Sequence, residues 1–266
     1  MSLLTGVKYL SLTWEMTKLS ILSAMEYRMS FLTQVIGMVI NDIGLILVFF
    51  ILFQKFPSIN GWHFRDTMLL FAIQTVNFSL VMIFARGVHR LGRSITRGEL
   101  DYYLAFPKNV LWHACVSRTD ISAIGDFAFG IVVFFLAGNV SLEKMATFAL
   151  VSFLTAWMLF NFSVVVQSVT FFVGNFEEAA EQMFHALLGF SFYPQNVFHG
   201  LLKLIMLTVL PAFFITTLPN QVVQKFDLQI LLLMFIFCIF SFLLAIFIFK
   251  KGLRHYESGN LINVNM

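Results

Sequence analysis

The stretch Leu228–Phe249, LQILLLMFIFCIFSFLLAIFIF, decides the fold class. No charged residue stands between Asp227 and Lys250. About 20 apolar residues in helix cross a hydrocarbon layer of about 30 Å, so this stretch reads as a membrane span. The rest of the chain agrees with it. Of 266 residues, 59% are apolar and 12% charged, against about 45–50% and about 25% in soluble domains. Mean hydropathy is +0.86, and 34 phenylalanines add aromatic bulk that lipid tails solvate well. Disorder, a secreted disulfide scaffold and an ordinary soluble enzyme are excluded.

Working back from that span, the sequence predicts an all-α membrane protein with six crossings. The others are Phe31–Phe53, Thr67–Ala85, Val116–Ala137, Met145–Val173 and a fifth near Ala179–Tyr193. Between the fourth and the last, Gly174–Phe226 is apolar but broken by Pro194, Pro211 and Pro219. It holds too much chain for one span and too little for three. One reading adds a re-entrant helical hairpin over Gln195–Leu218 after span five. Another lays Glu177–His199 on the surface and takes Leu201–Leu218 as the fifth span. Non-helical backbone at membrane depth is tolerated only inside protein or beside water, so either reading makes this region line something.

The 17 lysines and arginines orient the chain. With both termini inside, Lys8, Lys18, Arg28, Arg86, Arg90, Arg93, Arg97, Lys108, Arg118, Lys250, Lys251 and Arg254 are cytoplasmic. Lys55, Arg65, Lys144, Lys203 and Lys225 are external. The positive-inside rule favours that topology in a cytoplasmic (inner) membrane. The start, Met1-Ser2-Leu3-Leu4, lacks a cleavable signal pattern, so the first span is expected to direct insertion. Residues 1–30 carry Leu3, Val7, Leu10, Trp14, Ile21, Met25 and Met29 at helical spacing, with Lys8, Glu15, Lys18 and Glu26 elsewhere on the wheel. They read as an amphipathic helix in the inner interface. One transmembrane domain is expected over 1–266.

The longest cytoplasmic segment, 86–109, reads RGVHRLGRSITRGELDYYLAFPKN. A compact helix is expected, with charge on one face and aromatics on the other. Such a segment either docks a partner protein or anchors to anionic lipid. The ionisable residues within spans are functional candidates by default: Asp42, preceded by Asn41, and Asp126. They either bond neighbouring helices or attract an amphipathic cation. Gln34, Gln74, Asn77, Asn161 and Gln167 are expected to join helices.

The stretch Ile95-Thr96-Arg97-Gly98-Glu99-Leu100-Asp101-Tyr102-Tyr103-Leu104 resembles the cytoplasmic coupling segment of ABC-2-type exporter permeases, in the viologen-exporter-like branch. Tyr193-Pro194, Pro211-Ala212-Phe213 and Pro219 resemble the same branch, as does Gly252-Leu253-Arg254-His255-Tyr256-Glu257-Ser258-Gly259-Asn260. Phe171-Phe172 stands where that branch would have a Phe-Trp pair. The resemblance implies that Arg97, Gly98, Glu99, Leu100, Asp101, Tyr102 and Tyr103 couple to a separate ABC ATPase. It implies an outer gate at Tyr193, Pro194, Pro211 and Pro219, and a homodimer or a heterodimer with a second permease.

The sequence contains no G-x-x-x-x-G-K-[ST] phosphate loop, so ATP hydrolysis needs another polypeptide. No cofactor is expected on this chain, ATP and Mg²⁺ belonging to the ATPase. No nucleic-acid partner is expected. The two cysteines, Cys115 and Cys238, lie in apolar stretches and read as buried hydrophobes. The six histidines never stand at metal-ligand spacing. Glu177-Glu178 followed by Gln182 faintly resembles a membrane-embedded protease, but the orienting arginine and a third motif are missing. The expected role is an exporter permease moving an amphipathic or lipophilic molecule, cations and lipids included. A glutamate-dependent membrane protease and a non-transporting structural subunit are the alternatives.

Overall fold

The computed structural model describes residues 3–138 and 140–256. Glu257–Asn260 of the C-terminal motif, and the side chains of Leu3, Val7, Lys8 and Leu10, lie outside the described residues. Among the described residues the chain is helical with no strands. In order, the helices are α1 Leu3–Glu26, α2 Arg28–Lys55, α3 Phe64–Ala85, α4 Leu91–Thr96, α5 Leu100–Leu104, α6 Val110–Val116 and α7 Ala123–Leu136. They continue as α8 Leu142–Ser168, α9 Thr170–Val173, α10 Glu177–Ser191, α11 Gly200–Thr208, α12 Leu218–Gln224 and α13 Leu228–Leu253. Four helical runs are long and apolar enough to cross a membrane: Arg28–Lys55, Phe64–Thr96, Leu142–Val173 and Leu228–Leu253. The pair Gly200–Thr208 and Phe213–Gln224 would supply a fifth if taken as one span, bent by 69° at its break.

Polar side chains start these helices where the sequence offers them. Asp227 accepts from the amides of Gln229 and Ile230 at the head of α13, and Ser141 accepts from the Lys144 amide at the head of α8. Helix α9 stops at Gly174, whose φ of +80° a residue with a Cβ adopts poorly.

Two expectations are corrected. The third span does not run continuously over Val116–Ala137. Polar Ser117–Ser122 interrupts it because Asp120 turns the chain: its amide donates to the Met82 carbonyl (2.9 Å) and its Oδ1 accepts from the Ser122 amide (3.1 Å). Side chains of this kind offer the backbone an alternative to helix. Segment 86–109 is not one compact helix. It is a 3₁₀ turn at Arg86–Arg90, then α4 and α5, parted where Gly98 adopts φ +72°. Within 195–218, a 3₁₀ turn, α11 and a π turn at Phe213–Thr217 follow one another, and Leu218 lies inside a helical run to Gln224.

Helix α8 is the centre of the molecule, packed on α3, α10, α12 and α13. Helix α2, by contrast, exposes Leu32, Ile36, Ile40, Leu47 and Ile51. The apolar core has two parts. One joins Val76, Phe134, Phe148, Met158 and Met234. The other joins Val88, Leu91, Ile95 and Leu100 of the segment after α3 to Leu159 of α8, Phe184 of α10, Phe213 of the π turn and Phe249 of α13.

Glycines let the second part close. A Cβ on Gly87 would overlap the backbone carbonyls of Ala114 and Cys115, and one on Gly252 would overlap the Phe171 ring. A Cβ on Gly44 meets nothing within 4 Å. Gly87→Ala is therefore expected to cost about 2 kcal/mol, because backbone cannot step aside, and Gly44→Ala to be neutral or stabilising by up to about 1 kcal/mol. Thermal unfolding of both variants in detergent checks this. Equal melting temperatures would refute the close approach.

Candidate functional site

The segment after α3 is held from within by one amide side chain. Gln167, in the last turn of α8, accepts from the Gly92 amide (3.0 Å) and donates to the His89 carbonyl (3.3 Å). Only glycine at position 92 lets the Gln167 oxygen come so near. Leu91 and Leu100 are fully buried beneath. Phe171 packs edge-on to Phe249 and Tyr256, and Phe172 to His255, so the α8–α9 end and the C-terminal motif form one wall. The Tyr256 hydroxyl is pushed up to about 12 by burial and by the Asp101 carboxylate beside it. The Phe171-Phe172 pair, which carried no role in the sequence, is thus a packing partner of Gly252.

The proposed coupling residues divide between inward and outward. Arg97, Glu99, Asp101 and Tyr102 are exposed, Tyr102 to 62%. Glu99 accepts from Ser94 Oγ at 3.0 Å. Leu100 is buried, and Gly98 supplies the turn between them. Tyr103 reaches back to Ser117 Oγ (3.0 Å). Tyr103 and Phe106 stack edge-on against His113 at 5.1 and 5.2 Å. Burial first and Lys108 second lower the His113 pKa. The far end of the segment meets α1: the Asn109 amide donates to the Tyr9 hydroxyl and Trp112 Nε1 to Thr13 Oγ1, both at 3.2 Å.

Asp42 and Asp126 are both buried, on helices that pack together. A Cβ on Gly125 would stand 3.0 Å from Val35 Cγ1, so the helices are close there, and Asp42 lies seven residues further along α2, about 10 Å of helix rise. One oxygen of each carboxylate is enclosed with no hydrogen-bond partner among the described residues. Helix-joining bonds are therefore not what these oxygens make. Asn41 is exposed and does not share the site. Asn77 and Asn161 do join helices, to Thr155 Oγ1 and the Ile215 carbonyl and to Ser241 Oγ respectively. Gln34 bonds Ser30 on its own helix.

The four residues of the expected gate are spread along the broken region. Tyr193 meets Phe49 edge-on at 6.0 Å. Pro194 follows the end of α10 with an extended backbone. Pro211 lines a cavity of about 300 Å³ with Phe240 and Ser241. Pro219 opens α12, where Asn220 donates to the Asp66 carbonyl (2.8 Å). Thr216 Oγ1, in the π turn, donates to the Ser191 carbonyl (2.7 Å) and ties α10 to it. That bond had no sequence signal beyond the threonine pair at 216–217. Among the described residues, no group of three His, Cys, Asp or Glu could hold a metal.

A protein-family model described as "ABC-2 family transporter protein" matches residues 12–259. No curated protein and no solved structure matches the chain.

Segment 86–109 thus forms a platform against the end of α8, and His89 lies in the 3₁₀ turn that opens it. Its Nε2 is enclosed, and its ring lies 4.1 Å from that of Phe184. Burial, then the charges of Arg86 and His185, lower its pKa to about 3. The folded state thus binds no proton there where the unfolded chain does, below its ordinary value of 6.5. Stability is lost as pH falls from 6.5 towards 3, at up to about 1.4 kcal/mol per unit. His89→Gln is expected to flatten the decline of melting temperature between pH 6.5 and 4. An unchanged slope would refute the assignment.

Proposed function

Because the chain belongs to the ABC-2 family of transporter proteins, and is thus a membrane permease part of an ABC transporter, we propose that it exports an amphipathic or lipophilic small molecule or lipid by alternating access. The motor would be a separate ABC ATPase, which would carry the ATP and Mg²⁺. One observation carries the coupling role. Segment 86–109 is bound tightly to α8 through Gln167 while turning Arg97, Glu99 and Tyr102 outward. A push on that outer face would be delivered to the central helix instead of being lost in a flexible loop.

Six crossings with both termini in the cytoplasm complete this reading: α2, α3, α7, α8, α10 and α13. Residues 195–218 would form a re-entrant element towards the outer side. The 69° bend, Pro211 and the π turn support a segment built to line a path, since π turns and broken helices concentrate at functional sites. Helices α7 and α10 are short for a bilayer of about 30 Å, which suits positions inside an assembly. Two permease chains, alike or related, would enclose the path, and the apolar face of α2 supplies surface for that contact.

The coupling role is tested by Arg97→Glu with Tyr102→Ala, two exposed side chains. About tenfold weaker capture of the ATPase is expected, since exposed aromatic and arginine anchors dominate such contacts. Insertion and melting temperature should hold. Undiminished ATP-dependent export in vesicles would remove the role.

The substrate path would include Asp42 and Asp126. Asp42 stands midway along α2, where a carboxylate costs about 2.5–3.5 kcal/mol on insertion scales, and Asp126 in the first turn of α7; neither has a compensating partner among the described residues. Asp42→Asn and Asp126→Asn are expected to reduce export of a lipophilic cation about tenfold while sparing a neutral toxin. Equal loss for both toxins, with a lower melting temperature, would sink the substrate-site reading.

A further inference from the structure

A cleft of about 680 Å³ opens between α1, the start of α2 and the Ser117–Ser122 turn. Its polar wall carries three arginines, Arg86, Arg90 and Arg118, against one carboxylate, Asp120. That carboxylate is fully engaged: Oδ2 with the Arg86 guanidinium, Oδ1 with the amide and hydroxyl of Ser122. Arg90 and Arg118 are exposed and make no ion pair among the described residues. They also repel each other, Arg118 being the charge that most lowers the Arg90 pKa. Thr119 lines the same cleft with its Oγ1 enclosed and without a partner among the described residues.

The facing wall is of another kind. Met16 and Leu19 of α1 and Phe31 of α2 line it, and α1 continues with exposed Leu22 and Met25. A free anion would satisfy only the arginines. A soluble partner's carboxylates would leave the apolar wall wet. A phosphate with acyl chains satisfies both walls, because guanidinium forks pair with phosphate oxygens and the chains cover Leu19 and Phe31.

We propose that this cleft binds the phosphate headgroup of an anionic phospholipid, with Arg90 and Arg118 as its principal contacts and the α1–α2 wall seating its chains. In the topology proposed above, that lipid comes from the inner leaflet, where acidic headgroups attract juxtamembrane arginines. Its binding beside α1, which contacts α6 through Tyr9 and Thr13, would hold α1 against the platform.

The test uses the purified full-length chain in neutral detergent, so that failure of the export reading or of its topology leaves the result interpretable. The probes are dioctanoyl phosphatidylglycerol, dioctanoyl phosphatidylcholine and inorganic phosphate, titrated calorimetrically. Saturable binding of the glycerol lipid is expected. Arg90→Gln with Arg118→Gln should weaken it about 30-fold, from about a fivefold contribution per basic residue near anionic lipid. Arg90→Lys with Arg118→Lys should keep most of it, which separates lost charge from lost fold. Lys250→Gln with Lys251→Gln, the same charge change at the end of α13, should shift it less than about twofold. Four results would overturn the proposal: equal binding of the choline lipid, displacement by equimolar phosphate, equal loss in the Lys250/Lys251 variant, or loss of ATPase capture with lipid binding intact in the Arg90/Arg118 variant.

Discussion

Gln167 uses both ends of its amide on the segment that follows α3, accepting from Gly92 and donating to the His89 carbonyl. Much of the architecture rests on that pair of bonds. They fix a chain of short helical pieces to the last turn of the most buried helix, at a point where a Cβ on residue 92 would forbid the approach. Apolar packing then closes around them, with Leu91, Ile95 and Leu100 under the segment and Phe184 and Phe249 beside it. A buried backbone amide without such a partner would carry a desolvation penalty of about 1–3 kcal/mol. The arrangement is therefore sharply specified.

Within the spans the same economy of polar groups recurs. Asn77 and Asn161 each place a side-chain amide between helices, so that α3, α8, α13 and the π turn are joined by hydrogen bonds as well as by packing. Apolar contact alone discriminates poorly between helix partners in lipid, because lipid tails are as apolar as leucine. Asp42 and Asp126 each keep an enclosed oxygen without a partner among the described residues, as the Oδ1 atoms of Asn77 and Asn161 do. They differ from the asparagines in carrying an acid, and no bond from their side chains joins them to a neighbouring helix among the described residues.

The region between α10 and α13 follows a different rule. Pro211 removes an amide donor, and the π turn at Phe213–Thr217 lets the helix resume after the bend. Thr216 secures it to the Ser191 carbonyl, and Asn220 and Gln224 secure its far end to Asp66. From Leu210 to Phe213 the broken backbone is buried and compensated by these side chains, while most of α11 before it is exposed.

The amino-acid sequence by itself determined the class of this protein. The uncharged run before Lys250, the shortage of charge and the order of the motifs are properties of composition and spacing, and burial in lipid depends directly on those. The polar character of 86–109 and the fragility of the proline-rich stretch were legible for the same reason. Tertiary structure alone decided the rest. The stop at Ser117–Ser122 required Met82 and Arg86 to stand opposite Asp120, thirty-odd residues away. The role of Phe171 required Gly252 to meet it. The exposure of Asn41 beside a buried Asp42 depended on which face of α2 met α7. Such contacts join residues distant in the chain, and the free energy that selects them belongs to the pair, so neither partner's local sequence records it.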